Sequence, residues 1–251
     1  MIDPVTEPSS IRNRVSPESV ATQWAAVRSR VSEACKKSGR SEKDVTVVGV
    51  TKYVDAATSQ WLVDAGCRDL GESRPQSLWE KQAALVSPNL LANEKINWHF
   101  IGHLQRNKSL KTISNLTMLH SLDSIRLAQQ VDRDAESLGI RVRALVEVNI
   151  SGETNKTGIL LQELPDMLES IASLKRIQLC GLMGMAGLQT PNPRTDFVKL
   201  RELRDQTLVR FGSQFEMNHL SMGMSGDFEA AIEEGSSIVR IGSLLFESTG
   251  S

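Results

Sequence analysis

Eight short runs rich in apolar and β-branched residues recur at 45–51, 67–71, 96–101, 118–122, 142–150, 177–183, 219–222 and 237–241, with helical patterns between them. That alternation constrains the fold more than any other feature. Apolar residues spaced by three and four lie between the runs, as at Ile125, Ala128, Val131, Ala135 and Leu138, or at Phe197, Leu200, Leu203 and Leu208. Strands alternating with helices imply a parallel sheet, because each parallel neighbour must be reached by a crossover and a helix supplies it. Eight such units in 251 residues match a closed (β/α)8 TIM barrel, with an open doubly wound sheet as the other architecture this order permits.

One helix precedes the first strand. Ser16, Pro17 and Glu18 supply a cap, a proline at the first helical position and an early acid, and Val20, Trp24, Val27 and Val31 then line one face as far as Gly39. Residues 1–15 are polar and contain Pro and Ser, which predicts a flexible segment ahead of a single domain over 16–251. The Pro-rich stretch 190–193 is a loop within the alternation, and there is no internal repeat.

Charge excludes several functions. With 29 basic and 30 acidic residues and no basic block interleaved with aromatics, neither nucleic acid nor an anionic membrane is an expected partner. No apolar run approaches the roughly 18 residues of a membrane span. Cys35, Cys67 and Cys180 have neither metal-ligand nor redox spacing, and the first ten residues lack an apolar signal core, so a cytoplasmic location and no metal are expected.

In a barrel, active groups sit where strands end at the C-terminal face, and phosphate sites favour the loops after strands seven and eight. Lys52 follows the first run, where a lone amine can form a Schiff base. Ser225 and Gly226 precede a short helical pattern over 227–232, and Gly242 and Ser243 follow Arg240 and Ile241 at the last strand, so their amides and hydroxyls suit a phosphate. Closing the barrel makes the first and last strands neighbours and predicts Lys52 beside Arg240 at one rim. Ser225 as a simple helix cap and Gly242-Ser243 as an ordinary turn are the structural alternatives. His99 reads as a core histidine, His103 as the better pocket residue, and His120 and His219 lie inside strands without ligand spacing. The Met-rich pieces 181–185 and 222–224 read as adaptable packing at the rim.

Taken in register, Val50-Thr51-Lys52, Gly71-Glu72, the string 98–108, His120-Ser121-Leu122-Asp123, the string 148–153, Gly181-Leu182-Met183, 221–225 with 229–232, and 239–243 resemble the pyridoxal phosphate homeostasis protein family. The resemblance implies a type III pyridoxal phosphate barrel. It implies further that Lys52 holds pyridoxal 5'-phosphate covalently, that Arg240 faces the pyridine nitrogen, and that Ser225, Gly242 and Ser243 hold the phosphate. Two positions depart from the family. Ser73-Arg74 stand where Gly-Glu is usually followed by Asn-Tyr, and Ser243 replaces a more usual threonine while keeping the hydroxyl.

The implied role is storage, buffering or delivery of the cofactor by a monomer, with apoenzymes that depend on pyridoxal phosphate as partners and without robust turnover. Related alanine racemases carry a second, β-rich domain that brings a catalytic tyrosine, whereas here the sequence ends at Ser251 and Tyr53 adjoins Lys52. An amino-acid racemase-like enzyme and a barrel enzyme using Lys52 as a Schiff-base amine towards a sugar phosphate are the other functions these residues permit.

Overall fold

The computed structural model describes residues 15–85, 95–154, 156–187 and 190–246. Eight parallel strands close on themselves in sequence order: β1 (Thr46–Val50), β2 (Asp69–Glu72), β3 (Asn97–Phe100), β4 (Met118–Leu122), β5 (Val142–Glu147), β6 (Ile177–Met183), β7 (His219–Ser221) and β8 (Ile238–Ile241). The barrel is therefore closed, and the open sheet is excluded. Outside it run α1 (Pro17–Lys37), α2 (Ala56–Asp64), α3 (Pro75–Ala84), α4 (Ser109–Ile113), α5 (Ile125–Ser137), α6 (Leu164–Ala172), α7 (Pro193–Phe211), α8 (Phe228–Glu233) and α9 (Ser243–Phe246).

The extra helix α1 starts where its caps dictate. Ser16 and Ser19 exchange side-chain and backbone hydrogen bonds in a capping box, and Pro17 takes the first turn, where its missing N–H costs nothing. Val20, Val27, Val31 and Ala34 bury against α2, α8 and α9, each large apolar side chain contributing about 1.5–3 kcal/mol. Val15, the last residue of the expected flexible segment, packs on the core; residues 1–14 lie outside the described residues.

Period-two alternation sorts each strand into two faces. Val48, Met118, Leu145, Cys180, Met183 and Ile238 form a small cluster apart from the large core beneath the helices, and they fill the barrel interior. The fifth run was expected to continue to 150 but β5 ends at Glu147. Beyond it the Val148 N–H still bonds the Met183 carbonyl of β6, but Val148 also bridges Ile159 and Asn149 N–H bonds the Ile159 carbonyl, so the backbone passes from the barrel wall to a returning loop.

The seam between β7 and β8 is thin, with the single register pair Ser221 and Ile238. The Ser236 hydroxyl lies within hydrogen-bond reach of the carbonyls of Leu220, Met222 and Ile238 and closes the gap. Gly223 leaves this seam at φ +93°, where a Cβ would also stand 2.5 Å from that of Ala231, so only glycine turns the chain here towards Ser225.

Candidate functional site at the C-terminal face of the barrel

β1 and β8 pair with Val48 opposite Arg240, which corrects the expected side-by-side placement of Lys52 and Arg240. Lys52 lies four residues beyond Val48, about 13 Å at strand rise. The physical reason is register: Arg240 sits within the barrel wall, whereas Lys52 belongs to the turn beyond β1 at the mouth. Lys52 is half-buried, with its Nζ 4.9 Å from the centre of the exposed Tyr53 ring. A cationic amine deep in the wall would face a desolvation cost, and the turn relieves it.

Thr51, next to Lys52, is fixed from outside the wall. Its hydroxyl donates to Glu72 Oε1 at 2.6 Å, and its carbonyl accepts from Lys81 Nζ at 2.6 Å, while Lys81 also pairs with Glu72 at 2.5 Å. Glu72 and Lys81 are both buried, and Glu72 Oε2 has no partner among the described residues. Neither the helical pattern around Lys81 nor the alternation around Glu72 gives a hint of this pair, so sequence reasoning missed it.

Arg240 is buried, and its Nη1 donates to both the carbonyl and the hydroxyl of Ser221 at 2.7 Å, with Nη2 donating to the Gly184 carbonyl at 3.2 Å. The N–H on Nε and the second one on Nη2 have no acceptor among the described residues. Burial pulls the guanidinium down to about 10, with Glu147 and Asp227 opposing that shift; at neutral pH it remains charged. Burial pushes the Glu147 carboxyl up, against the hydrogen bond from Thr157.

Ser225, Gly242 and Ser243 converge, although their elements lie apart in sequence. The Ser225 oxygen accepts from the amides of Gly242 at 3.2 Å and Leu244 at 3.5 Å, so it serves the β8–α9 turn. It does not cap α8, whose N-cap position is Asp227. A Cβ on Gly242 would meet Val50 Cβ at 3.4 Å, which places that turn against the last residue of β1, two before Lys52. Ser243 is exposed.

His103 and Asp123 pair at 2.6 Å at the ends of β3 and β4, with the His103 side chain 59% exposed. His99 is a buried, hydrogen-bonded core histidine as expected. Ser73 sits tightly against Gly102, where a Cβ would fall 2.3 Å from its carbonyl oxygen. Among the described residues, no group of three or more His, Cys, Asp or Glu is arranged to hold a metal ion, and no helix is long and apolar enough to cross a membrane.

The family model for the alanine racemase N-terminal domain matches residues 24–249. A pyridoxal phosphate homeostasis protein of Aquifex aeolicus is 38% identical over 222 residues, covering 88% of this chain and 94% of that protein. The chain belongs to the pyridoxal phosphate homeostasis protein family. PipY of Synechococcus elongatus, solved with PLP bound, superimposes with a TM-score of 0.78 at 29% identity, covering 91% of this chain and all of that one (100%). An alanine racemase of Clostridium difficile shares the fold alone, with a TM-score of 0.71 at 14% identity over 93% of this chain and 58% of the racemase. Family members of this length thus share the barrel that the racemase carries as one part of a longer chain.

Proposed function

We propose that this chain binds pyridoxal 5'-phosphate at the C-terminal face of its barrel and serves cytoplasmic pyridoxal phosphate homeostasis, storing, buffering or delivering the cofactor as a monomer. The observation that carries this reading is the convergence of Ser225, Gly242 and Ser243 on one turn beside the end of β1, with the Arg240 guanidinium deeper in the wall. The donor set suits the group. Two backbone amides already accommodate an oxygen, that of Ser225, and a phosphate oxygen makes the same demand; the Ser225 and Ser243 hydroxyls add two donors.

The cofactor supplies an aldehyde and an aromatic ring that withdraws electrons. Lys52 contributes its amine, which condenses with the aldehyde carbon and releases one water. Thr51, gripped by Glu72 and Lys81, limits how far that amine strays. Arg240 donates to the ring nitrogen and, having no lone pair to offer, keeps it unprotonated. An unprotonated ring is a poorer electron sink, which supports a carrier over an amino-acid enzyme. Delivery then consists of reversing the condensation for a recipient apoenzyme.

Borohydride reduction followed by peptide mass spectrometry tests the assignment. The phosphopyridoxyl group is expected on Lys52, and its appearance on another lysine, or undiminished visible absorbance in Lys52→Ala, overturns it. Replacing Ser225 and Ser243 together by alanine is expected to weaken pyridoxal phosphate by about 1–2 kcal/mol per hydroxyl while sparing pyridoxal. With L-alanine in deuterated water, α-proton exchange below about 1 per second supports the carrier, and turnover at enzyme rates promotes the racemase-like reading.

A further inference from the structure

A continuous line of hydrogen bonds, partly exposed only at Asp69, crosses the barrel interior and ends on Arg240. Asp69 of β2 meets His99 of β3 (Oδ1 to Nε2, 3.0 Å), and His99 Nδ1 meets His120 Nε2 of β4 at 2.9 Å. His120 Nδ1 then meets the Ser221 hydroxyl of β7 at 2.9 Å, and that oxygen accepts from Arg240 of β8 at 2.7 Å. β4 and β7 are not neighbours in the closed order, so the His120–Ser221 contact spans the interior. His99, His120, Ser221 and Arg240 are all buried.

With both imidazoles neutral and the Ser221 proton directed at its other partner, counting protons along the line leaves one arrangement. The Ser221 oxygen already accepts from Arg240, and among the described residues the only other partner of that hydroxyl is His120, so its proton goes to a bare Nδ1. His120 therefore carries its proton on Nε2 and donates it to a bare His99 Nδ1. His99 in turn carries its proton on Nε2 and donates to Asp69. Asp69 Oδ1 also accepts from Asn97 Nδ2 at 3.2 Å, which marks it as a carboxylate acceptor at the end of the line. Every donor points from the guanidinium towards the carboxylate. Burial, reinforced by the nearby His99, Arg240 and His219, holds the His120 imidazole well below its ordinary range, consistent with a neutral ring.

We propose that His99 and His120 are positioning residues for Arg240. Their fixed tautomers lock the Ser221 hydroxyl as an acceptor, and that lock aims the guanidinium's free N–H groups at an aromatic ring nitrogen that carries a lone pair. Asp69 is the acceptor at the far end of the line. The chain thereby selects ligands by the state of their ring nitrogen, favouring an unprotonated pyridine over a pyridinium that has no lone pair. This selection rests on the cofactor-binding reading above, whereas the tautomers do not.

Long-range nitrogen–proton NMR of histidine-labelled, unliganded protein tests the line directly. Protons on Nε2 of both His99 and His120 at neutral pH are expected; a proton on Nδ1 of either ring overturns the proposal, whatever binds at Lys52. Selection is measured as the affinity ratio of pyridoxal phosphate to its N-methylpyridinium analogue, expected to be about tenfold or more from one charged donor left unmatched. His120→Leu should collapse that ratio, whereas His120→Gln, whose amide accepts at one end and donates at the other, should keep it. An unchanged ratio in His120→Leu, or a collapse in both variants, overturns the positioning role. If pyridoxal phosphate fails to attach to Lys52 in the wild-type protein while the tautomers are as stated, the cofactor reading falls and the line stands.

Discussion

Two buried polar systems lie on opposite sides of the barrel wall and neutralise charge differently. Outside it, Glu72 and Lys81 join β2 to α3 by direct contact at 2.5 Å. Inside it, no carboxylate among the described residues contacts Arg240; carbonyls and a hydroxyl accept its N–H groups, and Glu147 and Asp227 act on its charge without touching it. The Lys81 amine is committed to Glu72 and to the Thr51 carbonyl, contacts that hold structure. The Arg240 guanidinium keeps N–H groups free for a ligand. The difference separates the part of the site that fixes the Lys52 turn from the part that reads the ligand.

The largest effect is expected from breaking the outer pair. Lys81→Met leaves Glu72 buried without its cation and should cost about 3–5 kcal/mol, read from the urea midpoint. Glu72→Leu combined with Lys81→Met should recover most of that loss, and equal destabilisation in single and double variants would show that the charges are not the cause.

Inside the wall the expected loss is smaller, because Arg240 keeps the Ser221 and Gly184 carbonyls when one hydroxyl is removed. Ser221→Ala should cost about 1.5–3 kcal/mol in the same assay. A loss as large as that of Lys81→Met would mean that the inner charge depends on one contact after all.

Acid sharpens the contrast further. His120 faces His99, Ser221, Arg240 and His219, and its folded-state value lies below the ordinary 6.5, burial being the main cause. The unfolded chain therefore takes up a proton near 6.5 while the folded chain does not. Its contribution is fully present above that pH and is lost as the pH falls, by about 1.4 kcal/mol per unit at most. Stability curves between pH 7 and 5 should show this slope in the wild type and a reduced one in His120→Gln. Identical slopes would remove His120 as the titrating group.

The smallest effect is expected on the surface. Arg210 and Glu169 pair at 2.8 Å, but both side chains are 58% exposed, so Glu169→Ala should change stability by less than about 1 kcal/mol. A larger loss would mean that contact distance, and not burial, governs ion pairs in this molecule.

Much of the barrel was legible from periodicity alone, since the eight runs fell within a few residues of eight strands. β5 ended early for a reason that no local pattern carries: Val148 and Asn149 are as apolar or as extended as a strand needs, yet they pass to the loop at Ile159. Lys52, Ser225, Gly242 and Ser243 could be named as candidates because a strand-end lysine and small hydrogen-bonding residues in turns are local chemical signals. His120 and Ser221 were read as parts of strands, and only their inward parity hinted that they meet.

What the sequence by itself determined is the order of elements, the capped start of α1 and the turn at Gly242, because helix caps, period-two alternation and glycine turns act over a few residues. Register and depth came from the tertiary structure. Only barrel closure sets Arg240 opposite Val48, leaves Lys52 above it at the mouth, and brings His120 to Ser221 across 101 residues. Those contacts depend on where distant strands pair and on which face each side chain takes, and a one-residue slip in any of them would turn the polar line out of the barrel.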